Sequence, residues 1–146
     1  MRHSRVAAAT CFGVAAFLTA AGMYLVPALR RGGVSVVLFI AWPTVSGAVA
    51  GFLVGHRVAS AARLSTALAW SAAVVVTAFA ICAVLFGSTY GWISGEPSNP
   101  FMLAVGVFTI GGVIAGPPAC LAAFAAAALL YRAARSSVDA SATEHP

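Results

Sequence analysis

Cys11, Cys82 and Cys120 are the most reactive side chains in the sequence, so thiol exchange is the first chemistry their placement must support. A membrane thiol oxidoreductase needs an attacking and a resolving sulfur close together, usually as C-x-x-C, and no such pair exists here. Each cysteine lies alone inside an apolar block, whereas a disulfide framework would place paired cysteines in exported loops. All three are expected to be small packing residues. Haem held between membrane helices needs imidazoles inside the spans, yet His3, His56 and His145 all fall outside the apolar blocks. Ser94-Gly95 sits in no nucleophile-elbow pattern, and Glu96 reads as a solvated loop charge. The blocks hold no Asp, Glu, Lys, Arg, His, Asn or Gln, the groups on which ion coupling, proton relays and intramembrane catalysis depend. What remains is hydroxyl. Thr10, Thr19, Thr44, Ser46, Ser71, Thr77 and Thr109 are expected to bond to carbonyls of their own helices. The sequence predicts no catalytic residue, no cofactor and no metal site, and hence no enzyme.

Four apolar blocks carry these residues. Hydrophobic residues are 62% of the 146 and charged residues 8%, against about 45–50% hydrophobic in soluble domains, more than a soluble core could hide. Each block reaches about 20 residues, enough to cross a hydrocarbon core of about 30 Å at about 1.5 Å per residue. The expected fold is an all-α membrane protein, four transmembrane helices in an up-down bundle with both termini cytoplasmic and the second and fourth helices proline-kinked. The spans fall at about 6–26, 34–55, 66–86 and 102–131 of a single domain over residues 1–135, with 136–146 a disordered cytoplasmic tail.

Charge supplies the direction of threading. The net charge of +5 rests on arginines set in ones and twos at block ends, with no continuous stripe for nucleic acid to follow. If all four blocks span, Arg2, Arg5, Arg57, Arg63, Arg132 and Arg135 share one side, leaving Arg30 and Arg31 opposite. The basic head and the apolar run to Val26 invite comparison with a signal peptide, with a cleavage site after Ala20-Ala21-Gly22. The run is about 21 residues against about 7–15 for a cleavable core, so it is read as an uncleaved first span. The lack of lysine beside abundant alanine fits a GC-rich bacterial genome, and a bacterial plasma membrane is the expected location.

The strongest positional signal is in the second block, where Pro43, Gly47, Gly51 and Gly55 recur at every fourth residue. On a helix they form a stripe without side-chain bulk, where another helix's backbone can approach closely. Pro43 has no N–H and leaves the Phe39 carbonyl free, so a kink is expected, eased by Thr44 and Ser46 bonding back to the backbone. Trp42 lies about 12 Å into the span at about 1.5 Å per residue and is expected to face protein or a cavity. In the third block Trp70 is placed as an interfacial residue, and Ala69, Ala73 and Thr77 form a weaker small-residue stripe. The segments Pro27 to Gly33, His56 to Ser65 and Gly87 to Pro100 are expected to be connections, the last with Tyr90 and Trp92 resting on the headgroup layer.

The last block, Phe101 to Tyr131, would measure about 46 Å as one straight helix at about 1.5 Å per residue. Gly111-Gly112 and Gly116-Pro117-Pro118 near its middle predict a sharp kink or a break, the prolines freeing the carbonyls of Val113 and Ile114. A re-entrant hairpin is disfavoured, because carrying Arg132 and Arg135 across would erase the arginine bias. Ile40-Ala41-Trp42-Pro43 is echoed by Ile114-Ala115-Gly116-Pro117, as parallel repeats in transporters would be, though chance between alanine-rich spans explains it equally well.

Two functions fit. The first is an accessory or assembly subunit in the bilayer, docking a membrane-protein partner through helix-packing residues Pro43, Gly47, Gly51, Gly55, Gly112 and Gly116. The alternative is a homo-oligomeric channel or carrier for a small uncharged or weakly polar solute, with Trp42, Thr44, Pro117 and Pro118 lining a pore or cavity. A four-span multidrug exporter would want a membrane glutamate and a halide channel polar pore residues, and the sequence has neither.

Overall fold

Alanine and leucine are strong helix formers and alanine is abundant in this sequence, and in the computed structural model helix is nearly all there is among the described residues. Backbone is described for residues 2–31, 37–95 and 99–143, and side-chain environments for 4–24, 38–92, 95 and 99–136. Gly32 and Gly33, the start of the second span, Glu96 and His145 lie outside the described residues, as do the side chains of Arg2, His3, Arg30 and Arg31.

Helix α1 is Arg2–Arg31. A π turn, π1 (Val37–Ala41), leads directly into α2 (Trp42–Val54), which is followed by the short α3 (His56–Ala59) and the long α4 (Leu64–Ser94). The last arm is α5 (Pro100–Gly106), a second π turn, π2 (Val107–Gly111), and α6 (Gly112–Thr143). Ser4–Tyr24, Leu64–Trp92 and Pro100–Ser136 are long and apolar enough to cross a membrane; Leu38–Val54 is apolar but shorter.

Several boundaries differ from the sequence reading. The expected first connection is helical as far as Arg31, since Ala28, Leu29 and two arginines are strong helix formers and outweigh the one bond lost at Pro27. The expected loop from Gly87 is helical up to Ser94: Ser88 and Thr89 donate to the Val84 and Leu85 carbonyls at 2.6 and 2.5 Å, which keeps their hydroxyls on the helix. Gly95, at φ 71°, then stops α4 in the left-handed conformation that glycine tolerates. Asn99 opens α5, its Oδ1 accepting from the Phe101 and Met102 N–H groups at 3.0 and 3.3 Å, with Pro100 in the first turn. Helix α6 runs on through Pro117 and Pro118, and past Arg135 to Thr143. The departure from α-helical winding lies at π2, ahead of both prolines, and the chain does not turn back. In the second arm the irregular turn likewise precedes the proline, and the Thr44 hydroxyl donates to the Ile40 carbonyl at 2.7 Å. Counted from its proline, π2 stands farther upstream than π1, so the two echoed segments do not share one geometry.

The most extensive close approach is between α1 and α2. A Cβ at Gly47 would stand 2.5 Å from Ala16 Cβ, and one at Gly51 only 2.8 Å from the Ala8 carbonyl oxygen. A Cβ at Gly55 would meet Ala8 Cβ at 2.9 Å, while from α1 Gly13 faces Ala48 at 3.1 Å. The glycine stripe is thus filled by the chain's own first helix. A second close approach joins α4 to α5, where a Cβ at Gly87 would collide with the Pro100 carbonyl and stand 3.0 Å from Ala104 Cβ.

Packing is uneven along the bundle. At the end holding the start of α1, α3 and the end of α6, Ala8, Phe12, Val58, Val74, Ala127 and Leu130 belong to one buried cluster. Arginines cover that end: Arg57 lies 4.5 Å over the Trp70 ring, Arg5 5.9 Å over Phe52, and Arg135 5.1 Å over Tyr131 while donating to the Ala62 carbonyl at 3.0 Å. Toward the other end a ladder of rings ties three arms: Tyr24 on α1, Phe39 on π1, then Phe86 and Tyr90 on α4, with successive centroids 5.5, 5.8 and 5.6 Å apart. Helix α1 packs on α6, but α5 and π2 are held mainly by α4.

Candidate functional site

That unequal packing leaves a cavity of about 440 Å³ between the four arms. Its floor is core: Phe12, Val74 and Ala123 line it and are each under 5% exposed. Its walls include Phe79 of α4, Pro43 and Gly47 of α2, and Gly106 and Ile110 of the last arm, so both π turns and the second-span proline border it. Among the described residues, no charged one lines it. Thr19 faces it, but the Thr19 hydroxyl donates to the Ala15 carbonyl at 2.8 Å, leaving the Tyr24 hydroxyl and Cys82 thiol as further polar groups on the wall. Such a chamber suits an uncharged, mainly apolar guest, because water would need about 2–4 polar partners to settle there. Its volume falls within the range of about 300–1,000 Å³ typical of small-molecule sites.

The residues singled out by sequence separate into three groups. Pro43 and Gly47 reach the cavity, while Gly51 and Gly55 lie in the α1–α2 contact. Trp42, Thr44, Pro117 and Pro118, expected to line a pore or cavity, are not in this wall. Trp42 instead fastens two helices: its Nε1 donates to Thr89 Oγ1 at 3.0 Å, and Thr89 passes its own proton to the Leu85 carbonyl. Gly112 and Gly116 meet nothing within 4 Å at the Cβ position and also stand outside the wall. Ser46 is fully buried and, unlike Thr44, makes no hydrogen bond back to its helix; the Cys82 thiol is the polar group opposite, outside bonding geometry.

Sequence reasoning missed Phe79, Gly106 and Ile110 in the wall, and Thr89 as the partner of Trp42. Gly106 carried a usable signal, a glycine shortly before the paired glycines of an overlong block. The described residues contain no group of three or more metal-ligating side chains. The three cysteines are unpaired. Comparison with family models, with characterised proteins and with solved structures finds no match to this chain.

Proposed function

We propose that this chain is a four-span protein of a bacterial plasma membrane that takes a small, uncharged, mainly apolar solute into its interhelical cavity, as a carrier or binding protein. In this reading Leu38–Val54, roughly 26 Å long at about 1.5 Å per residue, is the fourth span. The arginine-covered end, with Arg5, Arg57 and Arg135, is the cytoplasmic one. The observation that carries the reading is the cavity itself, bordered by both π turns, features that recur at functional sites in membrane helices.

The accessory-subunit reading keeps one surface. Its main stripe is taken up by α1, but Gly112 and Gly116 stay open at four-residue spacing. One experiment separates the two: purified protein in mild detergent is titrated with a naphthalene-type fluorescent probe, beside Gly106→Phe and Gly112→Phe variants. Gly106 lines the cavity and a Cβ there meets no atom within 4 Å, so Phe has room to enter the chamber and should weaken probe binding at least tenfold. Gly112→Phe should leave binding unchanged. Equal binding in all three, or co-purification of another protein in fixed ratio that only Gly112→Phe removes, would overturn the carrier reading.

A further inference from the structure

We infer that the occupant of the cavity is the hydrocarbon tail of a bilayer amphiphile, entering sideways between α1 and the α5–π2 segment. The inference rests on the cavity reading above and names the class of guest. Three observations carry it. The first is the mouth: α1 packs against α2 and α6 but makes no more than marginal contact with α5 or π2, so the wall is open along that line. The second is the continuity of wall and outer surface. Met102, Ile110 and Ile114 line the cavity and are still 67%, 64% and 57% exposed, so the chamber is a recess in the apolar face that spanning helices turn to lipid. The third is the floor, where Phe12, Val74 and Ala123, buried in the core cluster, bound the chamber toward the arginine-covered end.

The energetics select a tail over a polar solute. A tail moving in from lipid gains no hydrophobic free energy, because the bilayer is as apolar as the wall. What it gains is dispersion contact with side chains that otherwise border empty space. A polar solute would instead lose hydration and find, among the described side chains of the wall, Thr19, a tyrosine hydroxyl and a thiol. The headgroup stays outside the mouth, since among the described residues no charged one lines the chamber to receive it.

The test uses full-length protein in liposomes containing a phosphatidylglycerol with a diazirine at the end of one acyl chain, irradiated and mapped by peptide mass spectrometry. Adducts on Phe79 and on Phe12, which is 3% exposed, reduced at least fivefold by Gly106→Phe and unaffected by Gly112→Phe, are the expected result. Phe79 and Phe12 come from different arms and line one chamber, so the wild-type map is informative even if the variant fails to fold. Adducts confined to outward residues such as Val84 and Leu129, 64% and 65% exposed, overturn the inference. In that case, if the naphthalene probe still binds and Gly106→Phe blocks it, the guest is a small solute and the cavity reading stands. If probe binding is also absent, both fail.

Discussion

A single methyl group at Gly47 measures how much the fold depends on the approach of its first two helices. The new Cβ would stand 2.5 Å from Ala16 Cβ and 3.0 Å from the Phe12 carbonyl oxygen. Carbon atoms in contact sit at about 3.5–4.0 Å, so α1 has to retreat by roughly 1 Å over that turn. Overpacking of this kind costs about 1–3 kcal/mol, offset by about 0.5–1 kcal/mol for replacing a helical glycine with alanine. Gly47→Ala should therefore lose about 1 kcal/mol, which in a chain of this size lowers the midpoint by roughly 2–4 °C. Heating the detergent-solubilised protein with a maleimide dye reads that midpoint directly, because Cys11, Cys82 and Cys120 are free and partly buried. Adding Ala16→Gly removes the nearest obstacle and should restore part of the loss, with a coupling of at least about 0.5 kcal/mol between the two sites. Gly112→Ala, which meets nothing within 4 Å, should be neutral or raise the midpoint. A Gly47→Ala protein that melts at or above wild type, with no coupling to Ala16, would refute the steric account of the stripe.

Two further outcomes follow from the geometry. Thr89→Val leaves the Trp42 indole N–H without its acceptor and should cost about 1–3 kcal/mol, whereas Trp42→Phe leaves Thr89 bonded to Leu85 and should lose less hydrogen-bond stability; equal melting of Thr89→Val and wild type would show that the bond is dispensable. For the proposed topology, with the three native cysteines replaced by serine, Ser60→Cys should react with an impermeant maleimide only in inside-out vesicles and Trp92→Cys only in intact cells. Labelling of both from one side would remove the four-span threading.

What was legible in the sequence was set by length and spacing. Blocks of apolar residues without internal charge have one outcome, and helices occupy them all. Glycines at every fourth position likewise announced a close approach, though spacing alone says nothing of which helix comes, and α1 fills the stripe. The ends were harder. Gly87 reads as a loop start and Pro27 as a stop, but in an apolar setting the backbone keeps its helical bonds wherever a hydroxyl or a neighbouring helix makes that tolerable, so both residues lie inside helices. The cavity was invisible because it is a property of what fails to meet. Its wall combines residues more than 100 positions apart, such as Phe12 and Ala119, whose convergence no local pattern encodes.

The turn at Val107–Gly111 has a consequence for how the last arm faces its neighbours. A π turn is one residue wound into an α-helix, and one residue is about 100° of rotation, so the segments on either side are out of phase. Before it, Pro100 and Ala104 point at Gly87 of α4; after it, Ala123 and Ala127 point into the core shared with α1. One continuous α-helix could not aim both sets where they are. The extra residue lets a single span keep α4 as a neighbour at both depths while its later half turns a further face to α1, and the seam between the two halves is part of the chamber wall.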